Sequence, residues 1–440
     1  MSFSCGIDFG TTNTAAALSK NGKRPELAPL EGNNVTIPSA LFFASDRKVY
    51  FGRQAMKMYM DGELGRCMRS LKRVLGSDLM SSGTYLNNKR TSFIEILGYF
   101  LQNIKNKIDA SADDNVENVV LGRPVHFRDN DPDGDLRAEN ELKRIATNVG
   151  FKNIEFQYEP VAAAFAHESK IEKEKLACVI DIGGGTSDFT ILRVGKQLMN
   201  KADRKDDILA STGVRIGGND FDKDLSLKCF MPTFGYGTQQ GGQTKYDKII
   251  DLPTAPFRTM AEWSSINSMY NYKELNFAKK MLYSAVEKEK VSRFVELIEK
   301  ERGYSLLNMV ENTKMQLTET TDVNVKLDFI SDKPVVKATR SDFEDSLCWD
   351  IPRVFDQIDE CVRQAQIRTD DVELVILTGG STEIPYIQHL VSDYFPNADL
   401  SQENKLSSVG MGLAYDSIRK FATDPVSSLN IEKIKKGNGR

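Results

Sequence analysis

Two short segments of the sequence each combine a carboxylate with a turn of small residues. Residues 7–12 read IDFGTT, and residues 180–186 read IDIGGGT. In both segments an apolar run typical of a strand ends at an aspartate and is followed by glycine and threonine. Small residues allow backbone N–H groups to approach a phosphate chain. The Mg²⁺ that accompanies phosphate chains prefers one or two carboxylates beside its waters. The pattern therefore indicates a phosphate and magnesium site.

A third turn of small residues strengthens this interpretation. Gly379, Gly380 and Ser381 follow the apolar segment 372–378, which is typical of a strand. A single such turn would be weak support, because glycine-rich hairpins are common and aspartate often caps turns. Two other phosphate motifs are excluded. The sequence has no GxxxxGK[ST] segment, and the third glycine of a dinucleotide fingerprint would fall on Asp188.

The elements that must position these residues alternate between strands and helices, which favours an α/β architecture. The similarity of the two aspartate segments further suggests a duplicated unit, with two copies facing each other across a cleft. We predict strand–turn–strand for residues 3–18, a strand at 118–127 and a strand at 177–182. Predicted helices begin at Thr91 or Ser92, at about 136 with an end before Gly150, and at Pro160.

Other segments carry weaker predictions. Residues 231–272 are rich in Gly, Gln, Tyr, Pro and Thr, which predicts an irregular insertion rather than a core element. Residues 276–302 predict a charged helix with a solvated face. The acidic segment 129–135 resembles half of a calcium loop, but its pattern favours a cap for the next helix. Trp263 and Trp349 are expected in the core or at a subdomain interface.

Composition bounds the class of protein. The 440 residues include 58 Lys and Arg against 62 Asp and Glu, giving a net charge of −4 that argues against polycationic nucleic-acid binding. The six cysteines form no CxxC pair, and the three histidines are His126, His167 and His389. Without a signal-like N-terminus or an apolar run of about 20 residues, we expect a cytoplasmic protein that does not bind membranes.

The motifs taken together resemble the nucleotide-binding region of the seventy-kilodalton heat-shock (DnaK-like) chaperones. In chain order, the matching segments are 6–13 (GIDFGTTN), 71–76 (LKRVLG), 159–164 (EPVAAA), 181–188 (DIGGGTSD), 216–222 (IGGNDFD), 311–314 (ENTK) and 379–385 (GGSTEIP). Segments 121–125 and 156–160, with the insertion after Phe230, further resemble the short YegD-type members. The motifs extend over roughly residues 4–420 in the order of the family.

The resemblance implies an actin-like ATPase fold of duplicated ribonuclease H-like units, which binds ATP or ADP with Mg²⁺ between two lobes. Lobe I would comprise residues 1–171, with 400–422 returning to it. Lobe II would comprise 172–399, including an irregular insertion near 231–275. Residues 423–440 are expected to form a flexible tail. Because so few residues follow the ATPase-like region, we expect no peptide-binding domain in this chain.

The resemblance also implies roles for individual residues. Those of the phosphate loops are Gly10, Thr11, Thr12, Asn13, Gly183, Gly184, Gly185 and Thr186. Asp8 and Asp181 would hold the waters of Mg²⁺, and Lys72 would point at the γ-phosphate. Glu159 and Asp188 would position the metal shell and the attacking water, so that the implied catalytic set is Lys72, Glu159, Asp181, Thr186 and Asp188. The implied adenosine-side residues are Gly218, Glu311, Lys314, Thr318, Gly379, Gly380 and Ser381.

Three positions depart from the family pattern. Met315 and Glu383 stand where the family usually has arginines that sandwich the adenine, which should weaken stacking on the base. Leu406 stands where the family has an acidic residue before the final helix. The resemblance as a whole predicts a monomeric chaperone-like protein that hydrolyses ATP slowly, couples nucleotide state to lobe closure and acts on an unidentified protein partner or client. Alternatives are a non-hydrolysing nucleotide-dependent interaction module, an actin-like filament former and a small-molecule kinase.

Overall fold

The computed structural model of the protein describes residues 3–86, 89–128, 131–168, 171–199, 201, 204–241, 249–401 and 408–421. Its strands are β1 (Phe3–Phe9), β2 (Asn13–Lys20), β3 (Glu26–Leu27), β4 (Thr36–Pro38), β5 (Ala40–Ala44), β6 (Val49–Phe51), β7 (Gly65–Arg69), β8 (Thr84–Leu86), β9 (Lys89–Thr91), β10 (Asn118–Arg123), β11 (Asn153–Tyr158), β12 (Lys175–Ile182), β13 (Ser187–Val194), β14 (Ile208–Val214), β15 (Gln239–Gln240), β16 (Ile250–Asp251), β17 (Asp322–Lys326), β18 (Val335–Thr339), β19 (Leu374–Thr378) and β20 (Asp399–Ser401).

The helices alternate with these strands. They are α1 (Gly52–Met60), α2 (Leu79–Ser82), α3 (Phe93–Ala112), α4 (Pro132–Asn148), α5 (Glu159–Glu168), α6 (Gly218–Leu225), α7 (Ala255–Met260), α8 (Tyr272–Ser284), α9 (Lys288–Glu299), α10 (Gly303–Glu319), α11 (Arg340–Ser346), α12 (Asp350–Gln364), α13 (Pro385–Tyr394) and α14 (Ser408–Phe421). None of the helices in the described part of the chain is long and apolar enough to cross a membrane.

The two large sheets repeat one topology. The first has the order β11-β10-β1-β2-β3, with β4 also paired to β2, and the second has the order β20-β19-β12-β13-β14. In both, the central strand pairs antiparallel with the strand that follows it in the chain and parallel with a later strand. Strands β1 and β12 therefore occupy equivalent positions. The duplication predicted from the two aspartate segments is confirmed.

The described residues cluster into two compact units. Unit 1 contains residues 1–215, 356–382 and 388–440, and it includes both large sheets. Its core includes a cluster that packs Ala162, Ala163 and Ala164 of α5 against apolar residues of β12, β13, β19 and α14. Unit 2 contains residues 216–355 and 383–387. The boundaries of lobes I and II predicted above stay a prediction.

Three predicted elements are present, and two of them have different bounds from those predicted. Ser92 caps α3, and its hydroxyl accepts a hydrogen bond from the Glu95 N–H in a capping box. Helix α4 begins at Pro132 rather than at about 136, because Asp131 caps it and Pro132 takes its first turn. Asp129 of the acidic segment lies outside the described residues. The predicted strand 118–127 ends earlier, at Arg123, immediately before Pro124.

Three predictions are wrong in part. Residues 231–272 include short elements whose apolar side chains are fully buried in unit 2, among them Phe234, Phe257 and Ile266. The charged helix 276–302 is divided into α8 and α9, since Ala285 is extended. Helix α9 also buries Phe294 and Leu297 on the face opposite its charges. Trp263 is buried as expected, but Trp349 is 81% exposed.

Candidate functional site

Strands β1 and β12 bring two aspartates to equivalent places in unit 1. Asp8 lies near the end of β1 and Asp181 near the end of β12. In the register of the second sheet, Asp181 pairs with Asp188 of the antiparallel β13 and with Thr378 of the parallel β19. Because neighbouring strands are about 4.8 Å apart, this register places the backbones of Asp181 and Asp188 side by side. Three of the predicted carboxylates therefore come from the ends of duplicated strands.

Lys72 supplies the positive charge at this cluster. It lies in the 3-10 turn Leu71–Val74, and its Nζ donates to Oε1 of Glu159 at 2.5 Å. The side chains are buried, with exposures of 8% for Lys72 and 9% for Glu159. Burial lowers the pKa of Lys72, but the charges of Glu159 and Asp8 outweigh it, and the pKa is raised above its usual value. The ammonium group therefore stays charged inside the protein.

The carboxyl groups around Lys72 are costly to ionise. Burial raises the pKa of Asp8 and of Asp181 well above the usual range, and the charge of Glu159 raises both further. Burial and Glu159 likewise raise the pKa of Asp188 to about 7, against the opposing hydrogen bond from Thr186. One lysine thus faces four carboxyl groups, an arrangement that favours an additional cation.

The residues present fit a hydrated Mg²⁺ ion better than a directly bound metal. Within the described ranges, no group of three His, Cys, Asp or Glu side chains could hold a metal ion directly. Mg²⁺ commonly keeps several of its waters and uses only one or two carboxylates. Asp8 and Asp181 would supply these carboxylates, because the charge of Mg²⁺ would offset the cost of ionising them. The Thr12 hydroxyl oxygen in the first loop is buried and has no hydrogen-bond partner among the described residues, so a polar group is still needed there.

The two predicted phosphate loops and the third turn of small residues, 379–381, all lie in unit 1. The first loop, from Gly10 to Thr12, joins β1 to β2, which begins at Asn13. In the second loop the Gly183 N–H donates to the Thr186 carbonyl at 2.9 Å, so that Gly184 and Gly185 form the turn between them. The Thr186 hydroxyl donates to Oδ2 of Asp188 at 3.1 Å. This bond connects the second loop to the carboxylate cluster.

The third loop adjoins the second. The Ser381 hydroxyl donates to the Gly183 carbonyl at 3.3 Å. Gly379 has φ +82°, and a Cβ atom there would lie 2.4 Å from the Ile182 carbonyl oxygen, so only glycine fits at this turn. Gly380 begins the 3-10 turn Gly380–Glu383. The structure therefore brings the second and third predicted loops together at the end of β12.

The remaining predicted adenosine-side residues belong to unit 2. Gly218 is the first residue of α6, and Glu311, Lys314 and Thr318 share a face of α10 at helical spacing. Lys314 Nζ lies 2.7 Å from Oδ1 of Asp222 and donates to the Gly218 carbonyl at 3.0 Å. The Thr318 hydroxyl donates to the Met315 carbonyl at 2.7 Å.

Two of the three departures from the family pattern lie in this unit. Met315 is 60% exposed, and Glu383 is also exposed at the surface. Neither position offers a planar cation to a base. Leu406, the third departure, lies outside the described residues.

Two functional candidates were missed by the sequence analysis. Asp222 is almost completely buried and pairs with Lys314. A signal was available, because Asp222 lies on α6 directly after the core residue Phe221, where a charge needs a partner. Arg73 follows Lys72 and donates to the Gly185 carbonyl at 2.8 Å. No sequence signal identified it, since its partner lies more than 100 residues later.

Comparison with known proteins places these features in a family. The family model described as Hsp70 protein matches residues 4–250 and 275–422, so the unmatched stretch 251–274 falls within the segment predicted to be an insertion. Over 98% of this chain, the chaperone protein DnaK of Thermotoga petrophila is 26% identical, and the match covers 61% of that relative. DnaK of Elusimicrobium minutum is 25% identical over 88% of the chain and 53% of its own length. The chain thus spans about three fifths of its Thermotoga relative.

Proposed function

Because the chain belongs to the Hsp70 family, whose nucleotide-binding region has the actin-like ATPase fold, we propose that it binds ATP and ADP with Mg²⁺ and hydrolyses ATP slowly. The observation that carries the proposal is the cluster of Asp8, Asp181 and Asp188 around the Lys72–Glu159 ion pair. This cluster lies beside the glycine turns at the ends of β1 and β12. We further propose that nucleotide state controls lobe closure and that a protein partner or client responds to it.

The side chains of the cluster have distinct tasks in this proposal. Lys72 keeps its positive charge when buried and offers it to a terminal phosphate, where phosphoryl transfer most needs charge neutralisation. Asp8 and Asp181 would orient the waters of the metal. Mg²⁺, when bound, would neutralise the phosphate oxygens and order the phosphate chain.

Asp188 is suited to accept a proton from water. A general base works best when its pKa is near the operating pH, and the pKa of Asp188 is raised to about 7. The hydrogen bond donated by Thr186 fixes one carboxylate oxygen, Oδ2. The Val125 backbone N–H also donates to this carboxyl group, so both contacts set the direction in which it would face a water molecule. Thr186 therefore acts on the reaction through the orientation of Asp188.

The test of the enzymatic proposal is phosphate release by the purified protein with ATP and Mg²⁺. Lys72→Ala should lower the rate by about 100-fold or more, as loss of a preorganised electrostatic group does elsewhere. Lys48→Ala is a control, since Lys48 is 70% exposed in a surface pair with Asp46. Equal rates for the wild type and Lys72→Ala would contradict the proposed role of Lys72 in hydrolysis.

A non-hydrolysing interaction module is the second candidate, and it is favoured by Met315 and Glu383, which offer no planar cation to the base. Weaker contacts to the base would leave a protein that senses nucleotide without efficient turnover. Calorimetry with ATP, ADP and GTP, each with and without Mg²⁺, separates the two. Binding without phosphate release supports the module. Absence of binding by all three nucleotides at millimolar concentration contradicts both functions.

A further inference from the structure

The 3-10 turn Leu71–Val74 sends three successive side chains in three directions. A 3-10 helix has three residues per turn, so neighbouring side chains diverge by about 120°. Leu71 packs in the core, Lys72 reaches Glu159, and the Arg73 guanidinium donates from Nη2 to the Gly185 carbonyl at 2.8 Å. The turn therefore places two adjacent cations at different parts of the candidate site. Only the first of them has a role in the proposed function.

Arg73 and Thr11 both pack closely against Gly185 of the second phosphate loop. A Cβ atom on Gly185 would lie 2.7 Å from Nε of Arg73 and 3.1 Å from Cγ2 of Thr11. The Arg73 side chain would have to shift to admit this atom, and Thr11 would have to give by a few tenths of an ångström, so a glycine hydrogen fits the space between the two loops without displacement. Arg73, Thr11 of the first loop and Gly185 of the second loop consequently meet at one point.

We propose that Arg73 is a positioning residue that fixes the second phosphate loop, residues 183–186, against the first loop. The proposal rests on the proposed function for its consequence in hydrolysis, but the contact itself can be tested without nucleotide. Arg73 holds the Gly185 carbonyl, and the same loop is closed by the bond between Gly183 and Thr186.

Displacement of the loop would be transmitted to Asp188. The Thr186 hydroxyl binds the Asp188 carboxylate, so a shift of residues 183–186 also moves the group that orients the proposed general base. A small misplacement of such a group costs rate more than it costs affinity. Loss of Arg73 should therefore lower kcat with little change in KM, whereas a purely structural role would lower protein stability and leave the rate per folded molecule unchanged.

The first experiment is amide hydrogen exchange of the nucleotide-free protein. In Arg73→Met the Gly183 amide should exchange about tenfold faster, because the turn that protects it loses its charge-assisted anchor. Arg73→Lys should recover part of the protection, since lysine keeps a donor but not the planar fork. Arg90→Met is the matched control. Arg90 also donates to a backbone carbonyl, that of Ser82, but on the β8–β9 hairpin.

The second experiment is single-turnover ATP hydrolysis by the same variants. We expect Arg73→Met to hydrolyse ATP about tenfold more slowly than the wild type. Its ATP affinity should stay within about threefold of the wild-type value, because a positioning group affects the rate more than binding. Gly185→Ala disturbs the same contact from the loop side and should also speed exchange at the Gly183 amide. It provides the test if Arg73→Met fails to fold.

Unchanged exchange at Gly183 in both Arg73→Met and Gly185→Ala would overturn the proposal. Failure of the wild type to release phosphate would contradict the proposed function instead. The exchange measurement would still decide the role of Arg73, because it requires no nucleotide.

Discussion

Asp188 lies where its negative charge is costly to the folded protein. It is buried, close to Glu159, and its pKa is raised to about 7. A carboxyl whose pKa is higher in the folded than in the unfolded state binds more protons when folded. The free energy of unfolding is therefore lowered by this group as the pH rises from about 4, the usual pKa of aspartate, to about 7. Active sites often retain such groups at the expense of stability.

Asp188→Asn should consequently stabilise the protein. We expect a gain of about 2–4 kcal/mol in the free energy of unfolding at pH 8, and almost none at pH 4, where the wild-type carboxyl is protonated in the folded state. Urea unfolding at the two pH values measures the difference, with Asp328→Asn at an exposed surface pair as the control. An equal effect of Asp188→Asn at both pH values would contradict the raised pKa.

Lys314 provides the opposite case, a cation that stabilises a buried charge. Asp222 is 1% exposed, and Lys314 lies 2.7 Å from it. Lys314→Met should lower the free energy of unfolding by about 3 kcal/mol, because it leaves Asp222 buried and unpaired. The double variant with Asp222→Asn should recover most of this loss.

A nucleotide-affinity measurement on the double variant separates the two possible tasks of Lys314. Recovered stability with weakened ADP binding would support its implied place on the adenosine side. Recovered stability with unchanged ADP binding would limit Lys314 to the support of α6, and a stable single variant would contradict the importance of the pair itself.

The sequence predicted some residues of the candidate site and missed others for a physical reason. Asp8 and Asp181 were predicted from strand ends and small-residue turns, which are local patterns. Arg73 and Asp222 act through partners that only the folded chain brings near, Gly185 and Lys314 respectively. Local patterning can indicate that Asp222 needs a partner, but it does not identify the partner of either residue.

At the scale of elements, helix α14 packs against α5 at very short range. A Cβ atom on Gly412 would lie 1.6 Å from the Ala162 carbonyl oxygen. Gly412→Ala should therefore force the two helices apart and lower the free energy of unfolding by about 3 kcal/mol or more. Since α5 begins at Glu159, the variant should also disturb the Lys72–Glu159 pair.

Gly98→Ala on α3 is the matched control for this substitution. It changes a helical glycine in the same way, but a Cβ atom there meets nothing within 4 Å. We expect it to stabilise the protein by about 0.5–1 kcal/mol through helix propensity and the reduced freedom of the unfolded chain. Thermal unfolding of both variants should show shifts of opposite sign, and shifts of the same sign would contradict the close packing at Gly412.

The accuracy of the element predictions followed the strength of local signals. Helix α3 was predicted closely, because its apolar spacing and its Ser92 cap are both local. The buried elements within residues 231–272 were not predicted, because the apolar residues of this segment are spread among Gly, Pro and Thr without a clear period. The burial of Phe234 and Phe257 results from packing with elements that lie later in the chain, such as Phe294 of α9, whose ring lies 4.3 Å from that of Phe257.

For the whole molecule, the repeated motif was the most informative feature of the sequence. It predicted that two sheets share one topology, and the pairings of β1 and β12 confirm this. The boundaries of the two compact units could not be predicted from the sequence in the same way. The chain crosses between the units several times, at 215/216, 355/356, 382/383 and 387/388, and the crossing at 355/356 lies inside α12. A continuous helix gives no sequence signal of a boundary within it.

The implied nucleotide-binding residues fall in both units, which leads to a prediction for the molecule as a whole. The phosphate loops belong to unit 1, whereas Gly218, Glu311 and Lys314 belong to unit 2. If these residues bind one nucleotide, ADP with Mg²⁺ should slow amide exchange both at residues 183–186 and in α10. At 100 times Kd the nucleotide should stabilise the protein by about 2.7 kcal/mol.

Amide exchange with and without ADP distinguishes the possible outcomes, with the β8–β9 hairpin as a region expected to be unaffected. Protection limited to unit 1 would contradict the adenosine-side residues while retaining the phosphate loops. Protection limited to α10 would contradict the phosphate loops. Protection in both units that requires Mg²⁺ would support the complete assignment, because Asp8 and Asp181 are the residues proposed to hold the metal and α10 carries none.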